Sequence, residues 1–123
     1  MTRGAGITVL LVTLLLLTAC KGGVGQGGSP PPAGATINVT ETEFKMDPKA
    51  LAAKPGKVTF RVKNAGGVEH NFIVEKTTIK IEAIQPGETK TASGDLKAGQ
   101  YKVVCNIPGH AEAGMVATLK VGP

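Results

Sequence analysis

Val58-Thr59-Phe60-Arg61-Val62-Lys63 alternates apolar and polar side chains with a period of two. That periodicity places Val58, Phe60 and Val62 on one face of a β-strand and Thr59, Arg61 and Lys63 on the other. Working outward, similar short segments lie between turn signals at Thr36–Thr40, His70–Glu75, Ile81–Ile84, Thr89–Ala92, Tyr101–Cys105 and Ala117–Val121. The turns are Lys54-Pro55-Gly56, Asn64-Ala65-Gly66-Gly67, Gln85-Pro86-Gly87 and Lys97-Ala98-Gly99, where Gly and Pro meet the backbone demands of reversal. Asp47–Ala53 is expected to form a helical turn, kept short by Pro48 and Pro55. With 123 residues, 17 Gly, 8 Pro, no Trp and four aromatics, the chain allows one small domain and not a helical bundle. An all-β sandwich of seven to eight strands is the architecture these segments predict.

The N-terminus has a different character. Arg3 is followed by an apolar run from Ile7 through Ala19, the layout of a secretory signal. That run is 13 residues long, about 20 Å as a helix against roughly 30 Å of bilayer hydrocarbon. An uncleaved anchor with an incidental cysteine therefore fits less well than a cleaved signal. Leu17-Thr18-Ala19-Cys20 resembles the lipobox of bacterial lipoproteins, which implies a signal peptide at 1–19 and acylation of Cys20. The following Lys21–Ala35, rich in Gly, Ser and Pro, cannot pack a core, so 20–35 is expected to serve as lipidated cysteine and tether and 36–123 as the domain. Such an organisation predicts an extracytoplasmic protein held at a bacterial membrane. Disulfides are permitted there, yet a lipidated Cys20 leaves Cys105 without an intramolecular partner. A lone thiol in an oxidising compartment needs something to occupy it.

The formal charge of +5 falls to 12 cations against nine acids from Thr36 onward, and the cations are scattered singly. Neither a basic run nor interleaved aromatics is present, so a nucleic-acid partner is not expected.

Both histidines and Cys105 fall at strand ends or in turns, and two of the three lie in Cys105-Asn106-Ile107-Pro108-Gly109-His110-Ala111-Glu112-Ala113-Gly114-Met115. Taken singly, each has an ordinary explanation: a surface His, a buried inert thiol, a core Met. Together, a loop that folds back over one point places thiolate, imidazole and thioether around it, while His70 enters from another strand. Two imidazoles, one thiolate and a weak axial thioether form the donor set of a blue-copper electron-transfer site, which makes His70, Cys105, His110 and Met115 the candidate ligands of one copper ion. Four protein ligands leave no open position for a substrate, so electron passage is expected in place of catalysis. An enzyme with Cys105 as nucleophile and His110 as base has the right residue types, but it gives His70 and Met115 no role.

Asn64–Val74 resembles the segment around the first histidine ligand of the plastocyanins, and Cys105–Met115 resembles the C-terminal ligand loop of the cupredoxins. The resemblance spans Thr36–Val121 and implies a Greek-key β-sandwich with copper near one end. Four residues separate Cys105 from His110, as in azurin, and four separate His110 from Met115; this mixed spacing is similar to that of the auracyanins. Glu69 stands where azurin has the glycine whose carbonyl approaches copper, so that fifth ligand is not carried over. The family pattern further implies that the Asn71 side chain ties the first-ligand strand to the ligand loop and steadies the Cys105 sulfur. It also implies that Ile107, Pro108, Gly109, Ala111, Ala113 and Gly114 form a flat apolar patch around His110 for docking redox partners. Function then follows as an expectation: a monomer shuttling single electrons between membrane-bound donor and acceptor complexes, in transient encounters, with copper alternating between Cu(I) and Cu(II). A copper carrier on the same fold is the alternative.

Overall fold

The structure is a computed structural model that describes residues 30–123. The expected signal peptide, the lipidated Cys20 and the tether up to residue 29 lie outside the described residues.

Nine strands follow in chain order: β1 (Thr36–Thr42), β2 (Lys45–Asp47), β3 (Ala50–Ala53), β4 (Gly56–Asn64), β5 (His70–Val74), β6 (Lys80–Ile84), β7 (Thr89–Leu96), β8 (Gly99–Val104) and β9 (Val116–Val121). They form a sandwich of two sheets, ordered β2-β1-β4-β7 and β3-β9-β8-β5-β6. In β4 the expected alternation is present, with Val58, Phe60 and Val62 buried and Lys57, Arg61 and Lys63 exposed. Phe60 meets Phe72 of β5 across the sandwich at a centroid distance of 5.1 Å. Burying one such ring contributes on the order of 2 kcal/mol, and these two link the sheets at the centre of the core.

All seven expected segments are strands, and the structure adds β2 and β3. The helical turn expected over Asp47–Ala53 is not formed: Ala50–Ala53 is a strand, paired parallel with β9 from Ala50↔Thr118 to Ala53↔Val121. Alanine's helical preference is overridden because Leu51 and Ala53 both enter the core in a two-residue alternation that a helix would break.

Strand direction gives the sandwich two distinct poles. β1 runs parallel to β4, from Thr36↔Thr59 to Glu41↔Asn64. At the pole where both strands begin, Gly34 N–H donates to Lys57 O (2.9 Å), so the residues just before β1 run against the domain. The opposite pole gathers the ends of β1 and β4, the start of β5, and the connection between β8 and β9.

Candidate metal centre

The first histidine is positioned by backbone punctuation. Asn64, fully buried at the end of β4, donates through Nδ2 to Val68 O (2.7 Å) and Ile84 O (2.8 Å) and accepts from Gly66 N–H at Oδ1 (2.8 Å). This fastens the loop before β5, whose first residue is His70. The other donors come from one connection. β8 and β9 are antiparallel neighbours with Val104 opposite Val116, which sets Cys105 and Met115 side by side. Cys105 N–H donates to Met115 O (3.1 Å). Between them the chain coils through His110 N–H to Ile107 O (3.0 Å), Ala113 N–H to Gly109 O (3.1 Å) and Met115 N–H to His110 O (3.0 Å). Gly109 and Gly114 take φ of 86° and 113°, a region costly for side-chain-bearing residues, and so permit the loop to close.

The donor atoms converge. His70 Nδ1 lies 3.3 Å from His110 Nδ1, and Cys105 Sγ lies 3.5 Å from His110 Nδ1. All three fall within 4.8 Å of one another, and Met115, fully buried, adjoins them through its backbone bonds to Cys105 and His110. Donors held this far apart suit a single ion bound at about 2.0–2.3 Å, the usual reach of imidazole and thiolate to a first-row metal. Two imidazoles and one thiolate with a thioether beside them match the donor set of a type 1 copper site. The residues present therefore fit the group, and His70, Cys105, His110 and Met115 are positioned for one copper ion.

Burial favours neutral forms of His70 and Cys105 until metal arrives. Burial holds the His70 imidazole below its ordinary range, helped by the His110 charge and opposed by Glu43, so its lone pair is available at neutral pH. Burial pushes the Cys105 thiol up, against the backbone N–H groups of Asn71 and Ile107, and Glu41 adds to the rise once it is ionised. Metal binding must displace that thiol proton.

Asn71 lies between the two parts of the site. Its N–H points at Cys105 Sγ (3.4 Å), its Nδ2 donates to Asn106 Oδ1 (2.7 Å), and its Oδ1 accepts from Asn106 N–H (2.8 Å). Around His110, Pro108, Gly109 and Ala113 are exposed, and Ile107, Ala111 and Gly114 are half-buried.

Three acidic or aromatic residues of the site were not anticipated from the sequence. Phe44, 46% exposed, packs edge-on to His110 at a centroid distance of 5.4 Å. Glu43, its neighbour in the turn between β1 and β2, accepts hydrogen bonds from Gly67 and Val68 N–H and lies near His70. Glu41 is fully buried on the inward face of β1. A signal for Glu41 existed in the alternation Ile37, Val39, Glu41. Glu43 and Phe44 act through a turn in which Phe44 takes φ of 60°, a conformation no local pattern announces.

Comparison with known proteins agrees with this geometry. The chain is 30% identical over 119 residues to the copper-resistant cuproprotein CopI of Rubrivivax gelatinosus, covering 79% of this chain and 72% of that protein. Among solved structures, auracyanin from Roseiflexus castenholzii superposes with a TM-score of 0.67 at 20% identity, over 74% of this chain and 99% of that one. An azurin from Methylomonas sp. strain J does so with 0.64 at 16% identity, over 74% and 100%. Residues 6–117 match the family described as the cupredoxin-like domain. With its two-sheet sandwich and its two-histidine, one-cysteine donor cluster at one pole, this chain belongs to the cupredoxin-like family.

Proposed function

We propose that this protein is a mononuclear type 1 copper electron-transfer protein of the extracytoplasmic space, held at a bacterial membrane through Cys20. It exchanges single electrons with membrane-associated donor and acceptor complexes in transient encounters. The observation that carries this reading is the convergence of two imidazole Nδ1 atoms 3.3 Å apart and a cysteine sulfur 3.5 Å from one of them, beside a buried thioether. Copper bound there supplies one-electron redox chemistry between Cu(I) and Cu(II).

The chain's own residues support the rest. Four side-chain donors close the site against substrate, which suits a carrier and not an enzyme. Asn71 and the hydrogen-bonded coil from Ile107 to Met115 hold the donors in one arrangement, so little protein movement accompanies a change of charge. His110 is only half-buried, and Ile107, Pro108, Gly109, Ala111, Ala113 and Gly114 surround it with small or apolar surface, suited to brief docking.

A copper carrier is the second reading, favoured by the relative's description as a copper-resistant cuproprotein. Release of copper to a competing chelator separates the two: slow exchange supports electron transfer, and fast exchange supports the carrier. The first experiment titrates the full chain with Cu(II) and records visible and EPR spectra beside Cys105→Ala. An intense thiolate-to-copper band at one equivalent, absent in the variant, is the expected result. No band, with Cys105 still freely reactive, sinks the copper function.

A further inference from the structure

His70 presents Nδ1 toward the metal position, so as a neutral ligand it carries its remaining proton on Nε2. That nitrogen is fully buried and has no hydrogen-bond partner among the described residues. A carboxylate oxygen lies 4.0 Å from it, Oε1 of Glu43. The same oxygen accepts from Gly67 N–H (2.5 Å) and Val68 N–H (3.2 Å), so the carboxylate is seated on the loop that delivers His70 to β5. Glu43's own backbone N–H, with those of Gly67 and Val68, holds the carboxyl below the usual carboxylate range. Its seat is cleared by Gly66, where a Cβ would stand 2.4 Å from Glu43 Oε1.

Resting on the copper reading above, we infer that Glu43 is the outer partner of His70: its carboxylate faces the buried Nε2–H, fixes the tautomer that ligates through Nδ1, and favours Cu(II) over Cu(I). The physical reason is charge. A fixed anion one imidazole away from the metal stabilises the dication more than the monocation, and burial of the ring limits solvent screening along that path. The 4.0 Å separation is longer than a hydrogen bond; a shift of about 1 Å turns it into one. Glu43 is thus a positioning and tuning residue, not a ligand.

The test compares Glu43→Gln with the parent as full-length, copper-loaded protein. Gln keeps the shape and an acceptor for the loop N–H groups but removes the charge. The expected loss is about tenfold in the preference for Cu(II) over Cu(I), read as a rise of about 59 mV in midpoint potential. Gly66→Ala, which evicts the carboxylate without removing it, is expected to raise the potential as well. In the metal-free protein, 15N spectra are expected to show His70 protonated at Nε2, with that proton exchanging faster with solvent in Glu43→Gln. A potential unchanged in both variants overturns the tuning role. A parent that shows no thiolate-to-copper band overturns the copper reading instead, and the metal-free spectra then still decide the contact, since an unaltered His70 signal rejects it.

Discussion

Glu41 is the residue most at odds with its surroundings. It continues the inward face of Ile37 and Val39, is fully buried, and has neither carboxylate oxygen hydrogen-bonded among the described residues. Burial pushes its carboxyl from the ordinary 4.5 up to about 8, so the folded protein keeps it neutral where the unfolded chain ionises it. A folded-state value above the unfolded one means that folding takes up a proton. The associated stability is therefore fully present below about pH 4.5, declines as pH rises, and is lost above about pH 8. The swing is on the order of 4 kcal/mol for a group shifted this far. Glu41→Gln cannot ionise, so its unfolding free energy is expected to lose a few kcal/mol less than the parent's between pH 5 and pH 8.5. Urea denaturation of the metal-free proteins at both pH values measures this, and parallel pH dependences reject the assignment. The same substitution removes a charge that raises the Cys105 thiol, so that thiol is expected to react faster at pH 8.5 in the variant.

Between elements, the site depends on how β5 is joined to the connection after β8, and Asn71 provides that joint. Asn71→Ala removes both side-chain bonds to Asn106 while leaving the N–H that faces Cys105 Sγ. Two hydrogen bonds of this kind contribute about 1–3 kcal/mol together. The variant is expected to unfold at lower urea by that amount and to show a shifted thiolate-to-copper band, since the ligand loop is less firmly held. Unchanged stability and spectrum would mean that the loop is positioned without it. The strands with large alternating side chains, β4 and β9, were legible in the sequence because burial alone dictates their register. β2 and β3 were not. β2 has three residues and buries only Met46, and β3 reads Ala-Leu-Ala-Ala, a helix-forming composition whose strand character comes from pairing with β9. The donors were legible because Cys, His and Met in one short loop are few and chemically distinctive. Glu43 and Phe44 reach the two histidines from a turn distant in sequence, and only the parallel register of β1 on β4 brings that turn to this pole.

At the scale of the whole molecule, the two poles assign different tasks to the ends of the sandwich. The chain enters the domain beside Lys57, at the start of β4, whereas the donors cluster beyond Asn64 at its end. Seven residues of extended strand between those positions span about 23 Å. An anchor at Cys20 would therefore hold the protein by the pole remote from copper and leave the His110 end free to meet partners. Among the described residues, Pro30 and Pro31 are half-buried and Gly34 is hydrogen-bonded to Lys57, so the chain is already fastened to this pole before β1 begins. On the anchoring proposed above, Cys20→Ser would remove the acyl acceptor without touching the copper pole. The variant is expected to leave the membrane fraction for the soluble one after cell fractionation, while its visible spectrum and midpoint potential match those of the parent. Electron delivery to a membrane-bound acceptor is expected to slow in intact membranes, because the encounter becomes three-dimensional, and to recover when the soluble variant is supplied in excess. A variant that remains wholly with the membranes rejects the lipid anchor. One that is released but has an altered potential rejects the separation of the two poles, since a change at the entry end would then be felt at His70 and Cys105.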